Sequence, residues 1–371
     1  MRRNRLGIFV IYSAQGSVEK YISYLLDGMN GLFKRLIIVV NGKLKKTEAD
    51  KLRPYSQDII YRKNYGFDGG AYKEVITKYL TADELKEYDQ CVLFNDTFCG
   101  CFYDWNALFL RMEEEKKDFW GLSKWIGGYS QLLKEDLPEH VQTFFVVVEE
   151  GMLHNELFMK FWINMEIPKS YEDTIKRFEG GFTQYFKKNG FQYLTWLDVM
   201  GGKSLLHMDE VVYLSYAGEL IDSYSFPVLK KKACAVANME QIIRIKEYLG
   251  NLCIGDDKIF YEFIDTELKK SEYFSIDEMQ NFYAYHRNVY VYGNGTYAKL
   301  LKLYFKFKQW QFKDVIVTEK REGEEAIAYK DVIFNNCDGV IIAVSKKYNK
   351  EICDTICRDW KNIDILSFVK E

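Results

Sequence analysis

Proline and histidine are scarce in this 371-residue chain, with four of each. So little proline over that length excludes proline-rich linkers and argues against extended disordered tracts. The four histidines, His140, His154, His207 and His286, are too scattered for a histidine-built zinc centre. A dominant sign of charge is lacking as well: 51 basic and 54 acidic residues leave a formal net charge of -3. That balance carries no global basic field, and nucleic acid is not an expected partner. No stretch approaches the about 20 apolar residues of a membrane-spanning helix, and no internal repeat or low-complexity tract occurs. The cysteines, Cys91, Cys99, Cys101, Cys234, Cys253, Cys337, Cys353 and Cys357, show no C-x-x-C spacing, and several sit inside apolar runs. They are expected to be buried thiols in a reducing compartment rather than a disulfide framework.

What is present is a dense apolar and aromatic content, 48% and 16%, with 28 Tyr and 26 Phe. A chain of this size and composition builds one large domain and a smaller one. Some of the exposed Tyr and Trp are candidates to stack on sugar rings, since each has an apolar face and a polar tip. The amino terminus, M-R-R-N-R-L-G-I-F-V-I-Y, begins like a leader. Its apolar run is short and no small-residue cleavage site follows, so it reads as a first strand. The expectation is a cytoplasmic protein, with peripheral contact at the inner face of a membrane left open.

Apolar strands alternate with helical periodicity through the first 232 residues, the pattern of an α/β domain. Strands are expected at Leu6 to Tyr12, Arg35 to Val40, Asp58 to Arg62 and Cys91 to Phe94, and helices at Ser17 to Leu26 and Gly70 to Leu80. Between the last two strands lies N-Y-G-F-D-G-G-A-Y, from Asn64 to Tyr72. Its Gly66, Gly69 and Gly70 allow a backbone to approach a ligand closely, and Asp68 reads as a helix cap. The strand from Cys91 runs into Asn95, Asp96 and Thr97, a polar cluster at a carboxyl end, where open α/β sheets bind ligands. Asn41-Gly42 closes the second strand as a turn or as a ligand contact. Farther on, His140 and Gln142 precede an apolar strand, and Phe178-Glu179-Gly180-Gly181 precedes a helical segment. A buried structural histidine is the more ordinary reading of His140. The runs Glu113 to Lys117 and Lys230 to Lys232 read as solvated faces.

In this order the motifs N-Y-G-F-D-G-G-A-Y, L-F-N-D-T-F-C-G, H-V-Q-T-F-F and F-E-G-G-F-T resemble the GT-A glycosyltransferases, and among them the rhamnan synthesis F family of bacterial polysaccharide rhamnosyltransferases. The resemblance covers the first two thirds of the chain. It implies a GT-A-like nucleotide-sugar-binding domain and inverting transfer, of rhamnose from dTDP-rhamnose, to a hydroxyl of a growing, lipid-linked glycan. Donor contacts would fall on Asn41, Asn64, Gly66, Asp68, Gly69, Asn95 and Asp96, and acceptor contacts on His140 and Gln142. Many relatives hold Mg²⁺ or Mn²⁺ with a D-x-D motif; here Asn95-Asp96-Thr97 leaves Asp96 as the one metal ligand of that motif. Glu179 is the expected base. Gly180 stands where such enzymes often place an Asp, so Glu149, Glu150 and Asp198 are held in reserve.

From residue 233 to 287 the sequence is helical with mixed charge and reads as a connector. A second α/β unit occupies 288–371. There Gly293, Gly295 and Ala298 fit G-x-G-x-x-A between a strand and a helix, and Glu319 ends the next strand. This small Rossmann-like domain is an accessory nucleotide site or an assembly module. Two other readings stand beside transfer: an NAD-linked sugar-modifying enzyme centred on 288–371, and a non-catalytic scaffold of polysaccharide assembly.

Overall fold

The computed structural model describes residues 3–100, 102–131, 133–207, 211–252 and 258–370. Cys101 and Cys253 lie outside them. The chain divides into two compact units, Met1–Lys231 and Lys232–Glu371.

The first unit is built on seven strands: β1 (Arg5–Ser13), β2 (Arg35–Gly42), β3 (Asp58–Arg62), β4 (Gln90–Asn95), β6 (Phe119–Gly121), β7 (Phe145–Glu149) and β8 (Tyr193–Thr195). Their order is β8-β6-β7-β4-β1-β2-β3. All run parallel except β7, which is antiparallel to both neighbours. Strands β1, β2 and β4 are nearly continuous apolar runs, as burial on both faces of a parallel sheet demands. A short strand, β5 (Phe98–Gly100), leaves the main sheet and pairs antiparallel with β9 (Val228–Lys230), so Lys230 lies opposite Phe98.

The reversed strand decides which residues share an edge. The carboxyl ends of β1, β2 and β4 and the amino end of β7 lie together, bringing Gln142 and His140 to the edge that bears Asn95. The far end of β7 is at the other edge, where Glu149 pairs with Gln90.

Helix α1 (Lys20–Gly28) starts later than expected. Ser17 is no cap; its N–H and carbonyl are both engaged by the Ser13 hydroxyl. Helix α2 (Phe67–Glu74) continues as a π-helical turn over Val75–Tyr79. Its cap is Gly66, left-handed at φ 75°, rather than Asp68. A longer helix runs through α3 (Tyr171–Thr174), a π-helical segment Ile175–Gly180 and α4 (Gly181–Lys188). Its inner face, Phe178, Phe182 and Phe186, is buried among Phe119, Phe161 and Trp162. Losing one such ring costs about 3–5 kcal/mol, a large part of a typical domain's 5–15. Packing therefore holds this helix in register.

The second unit contains helices α5 (Met239–Leu252), α6 (Lys258–Lys269) and α7 (Ile276–Tyr285), then β10 (Asn288–Tyr292), α8 (Thr296–Lys308), β11 (Val315–Val317), β12 (Ile327–Ala328), β13 (Asp338–Ile342), α9 (Lys346–Asp359) and β14 (Asp364–Ser367). Its sheet is wholly parallel, ordered β12-β11-β10-β13-β14. The stretch 233–287, expected as a connector, belongs to this compact unit. Phe282 of α7 lies so close to Gly339 of β13 that a Cβ there would meet its ring at 2.6 Å.

Among the described cysteines none is bonded to another; Cys91, Cys99 and Cys234 are buried and Cys337 and Cys357 exposed. Trp105, Trp120, Trp125, Trp162 and Trp196 are all core residues. The exposed rings at the carboxyl ends of β1 and β3 are tyrosines: Tyr12, Tyr61 and, in the following loop, Tyr65. No helix among the described residues is long and apolar enough to cross a membrane.

Candidate active site

The carboxyl edge of the first sheet gathers charge that the core would not tolerate unpaired. Asp68 projects from the first turn of α2. One carboxylate oxygen accepts the Gly69 N–H at 2.8 Å, and the other accepts the Asn95 amide at 2.8 Å. The Asn95 carbonyl in turn accepts from the Thr97 hydroxyl at 2.6 Å and the Thr97 N–H at 3.1 Å. Thr97 accepts from the Lys230 ammonium, which closes a chain from Asp68 to Lys230. Lys230 is buried with its Nζ 3.9 Å from the centre of the Phe144 ring and 5.7 Å from that of Tyr213. A buried ammonium over aromatic faces is held by the ring quadrupoles.

Asp96 is the second carboxylate of this edge, and it is buried. Its Oδ2 lies 3.4 Å from the Lys231 ammonium and accepts from the Tyr12 N–H at 3.4 Å, and its carbonyl accepts the Tyr21 hydroxyl at 2.8 Å. Burial pushes the carboxyls of both Asp68 and Asp96 above the ordinary range; Lys230 and Lys231 respectively oppose that rise. Sequence reasoning missed both lysines, reading Lys230 to Lys232 as a solvated face. Lys232 is exposed, but β9 carries Lys230 inward and Lys231 onto Asp96. The pairing partner that dictates this lies some 130 residues earlier, beyond the reach of any local pattern.

The segment that leads into β7 and the π-helical segment meet at His140 and Glu179. Glu179 was expected at a helix start; it stands inside a continuous helix, in a π-turn, a device frequent at functional sites. Its carboxylate lies 3.8 Å from His140 Nε2. The His140 Nδ1–H donates to the Pro138 carbonyl at 2.8 Å, which leaves Nε2 as the lone-pair nitrogen. Burial lowers the His140 pKa and keeps the ring neutral. Tyr213, another residue the sequence did not single out, connects the two halves. Its ring packs on Phe144, its hydroxyl is bonded to Gln142, and burial followed by the nearby Glu179 charge raises its pKa.

The remaining sequence candidates fall elsewhere or serve the frame. Asn41 is buried, its amide donating to the Phe67 carbonyl at 3.2 Å and its oxygen accepting from Arg62 at 2.6 Å, so it ties β2 to the start of α2. Asn64 is exposed in the preceding loop. Gly66 and Gly69 are required by packing: a Cβ would meet Ile167 at 2.4 Å and the Phe178 ring at 3.0 Å. Gly69 thereby sets α2 directly against the segment bearing Glu179. Of the reserve bases, Glu149 is bound to Gln90, Trp120 and Arg3 at the opposite edge. Glu150 opens the helix that follows there. Asp198 caps the turn after β8 through Thr195 and pairs with Lys124 at 3.0 Å. In the second unit Gly293 sits at φ 117° after β10, Gly295 precedes α8, and Glu319 is exposed beyond β11.

A divalent metal here would have Asp96 as its motif carboxylate, with a diphosphate and water supplying its other oxygens. Among the described residues no three His, Cys, Asp or Glu side chains converge. Asn95 is turned onto Asp68 and Thr97, and Asp96 already has an ammonium beside it. Mg²⁺ and Mn²⁺ favour several oxygen ligands in a near-octahedral shell.

A mixed sheet with one reversed strand, followed by a small parallel sheet, is a GT-A-like α/β fold with a Rossmann-like companion. Residues 36–343 match the Rhamnan synthesis protein F family, and the chain belongs to that family. The match runs past the first two thirds through four of the five strands of the second sheet, so the second unit is part of what the family shares. An uncharacterized protein of Sinorhizobium fredii, y4gN, is 24% identical over 190 residues, covering 50% of this chain and 46% of that protein. The chain thus spans about half the length of the curated relative it matches. Among solved structures, 4-diphosphocytidyl-2C-methyl-D-erythritol synthase of Anaerococcus prevotii covers 53% of this chain and 89% of its own, at 11% identity and a TM-score of 0.33. A putative nucleotide-diphospho-sugar transferase of Desulfovibrio desulfuricans covers 53% and 80%, at 14% and 0.31.

Proposed function

We propose that the protein is a glycosyltransferase that moves a sugar from a nucleotide-diphosphate donor to a hydroxyl of a growing surface glycan. Within its family the donor we favour is dTDP-rhamnose, the acceptor a lipid-linked polysaccharide, and the place of reaction the cytoplasmic side of the membrane. The observation that carries the reading is the meeting of two groups at one sheet edge. The Asp68–Asn95–Thr97–Lys230 chain offers a polar seat for a donor, and Glu179 stands across from it beside neutral His140.

Inverting transfer is one in-line displacement. The acceptor oxygen attacks the anomeric carbon, its proton passes to a base, and the bond to the diphosphate breaks with its electrons leaving on the phosphate oxygen. In this reading Glu179 takes the proton, and Tyr213, bonded to Gln142, has Glu179 and Lys230 as neighbours. With its lone pair on Nε2, His140 can accept a hydrogen bond but not compete with Glu179 as a cation. The scaffold reading is kept as the alternative outcome.

A donor that binds only the native chain raises its melting temperature. dTDP or UDP is expected to stabilise the protein, Asp68→Ala to abolish that shift, and dTDP-rhamnose to be slowly hydrolysed without acceptor. No shift with any nucleotide and no hydrolysis would leave a scaffold.

A further inference from the structure

Resting on the glycosyltransferase reading above, we infer that one face of a short β-ribbon, bearing Ser123, Trp125, His140 and Gln142, reads the hydroxyls of the acceptor sugar. The strands Lys124–Trp125 and His140–Val141 pair antiparallel, with His140 opposite Trp125 and Val141 opposite Lys124. The Gln142 N–H extends the pairing by donating to the Ser123 carbonyl at 3.0 Å. Residues opposite one another in such a ribbon, and residues two apart along it, point to the same side. Ser123, Trp125, His140 and Gln142 therefore share one face, and Lys124, Glu139 and Val141 the other.

The two faces are satisfied differently. On the second, Lys124 lies 3.6 Å from Glu139, Glu139 accepts the Tyr193 hydroxyl at 2.6 Å, and Val141 is buried in the core. On the first, Ser123 Oγ, Trp125 Nε1 and Gln142 Oε1 have no hydrogen-bond partner among the described residues, although none of the three side chains belongs to a residue more than 8% exposed. Buried polar atoms are nearly always paired, and an orphan calls for a ligand or an ordered water. The indole N–H only donates, the amide oxygen only accepts, and the serine hydroxyl does both. Vicinal hydroxyls of a sugar ring, each a donor and an acceptor, match that set; a phosphate, which only accepts, would leave Gln142 Oε1 facing an anion. The Trp125 ring lies nearly parallel to His140, at 21°, and adds an apolar surface for a sugar ring. The same face turns His140 Nε2 toward Glu179 at 3.8 Å, so a sugar held there brings its hydroxyls to the proposed base.

The test is binding of the methyl glycosides of rhamnose, glucose, galactose and N-acetylglucosamine to the full chain, by ligand-observed NMR with dTDP present. Calorimetry of dTDP and thermal melting accompany it. The wild type is expected to bind at least one glycoside. Ser123→Ala and Trp125→Phe are each expected to weaken that glycoside about 3- to 10-fold, the loss of a neutral hydrogen bond, and to leave dTDP affinity unchanged. Ser123→Ala removes a hydroxyl that bonds no described residue, so its melting temperature should not fall. Should Trp125→Phe fail to fold, Ser123→Ala carries the test. A lower melting temperature with unchanged glycoside affinity would make the orphaned atoms partners of ordered water only and overturn the inference. Binding of dTDP with no glycoside bound would overturn it too, while leaving the donor site standing. Absence of nucleotide and glycoside binding under every condition would overturn both.

Discussion

At the carboxyl edge of the first sheet, Gly66 turns at φ 75° and α2 begins; at that of the second, Gly293 turns at φ 117° and α8 begins. Both turns need a residue without a side chain. A Cβ on Gly293 would lie 2.8 Å from the Ala343 carbonyl, as one on Gly66 would strike Ile167. What surrounds them differs. The first turn is backed by the half-buried Asp68, the buried Asp96 and a buried ammonium. Around the second, Lys302 of α8 donates to Asn294 at 3.1 Å and Glu319 stays in solvent. The contrast teaches that a glycine fingerprint marks a strand-to-helix turn, whereas desolvated charge gathered at a sheet edge marks a candidate site.

The largest effect separating the edges is expected at Glu179. Glu179→Gln should lower kcat by about 10²–10⁴-fold, the contribution of a general base, with dTDP binding preserved. Steady-state turnover with saturating acceptor, beside calorimetry, checks it. Simultaneous loss of donor affinity would make Glu179 a donor-side or structural residue, and near-native turnover would place the base elsewhere.

Gly69→Ala comes next. Its Cβ would sit 3.0 Å from the Phe178 ring, so α2 or the π-helical segment must shift, at a cost of about 1–3 kcal/mol in denaturant unfolding. The counterpart Gly295→Ala meets nothing within 4 Å and should change stability by no more than about 0.5 kcal/mol. Equal costs would erase the distinction drawn between the two turns.

The smallest effect is a pH dependence. Burial raises the Asp96 pKa in the folded chain, so the native state holds its proton to higher pH than the unfolded one. The stability linked to Asp96 is therefore present below the unfolded value, about 3.9, and is lost as pH rises through the folded value. Asp96→Asn should flatten that part of the stability profile, and an unchanged slope would remove Asp96 from it.

Much of this edge could be read in the sequence because its parts are local. The apolar runs of β1, β2 and β4 end at Asn41, Asn95 and Asp96, and a parallel sheet puts such ends together. The glycine run announced a strand-to-helix turn, yet Gly69 is spent on Phe178, a contact about 110 residues away. The V-L-K-K-K segment looked like surface because lysine usually is; its pairing with β5 is nonlocal, and only the fold puts Lys230 inside. Glu179 was read as a base at a helix start, whereas it stands in a π-turn inside a continuous helix, a feature that depends on the aromatic packing beneath it.

Amide hydrogen exchange of the full chain, with and without saturating dTDP, tests most directly the claim that the donor belongs to the first edge. Slower exchange is predicted in Phe67–Glu74, in the segment from Asn95 to Gly100, and in Val228–Lys230 with Lys231. Protection confined to the turn after β10 and the start of α8, with the first edge unchanged, would contradict the account.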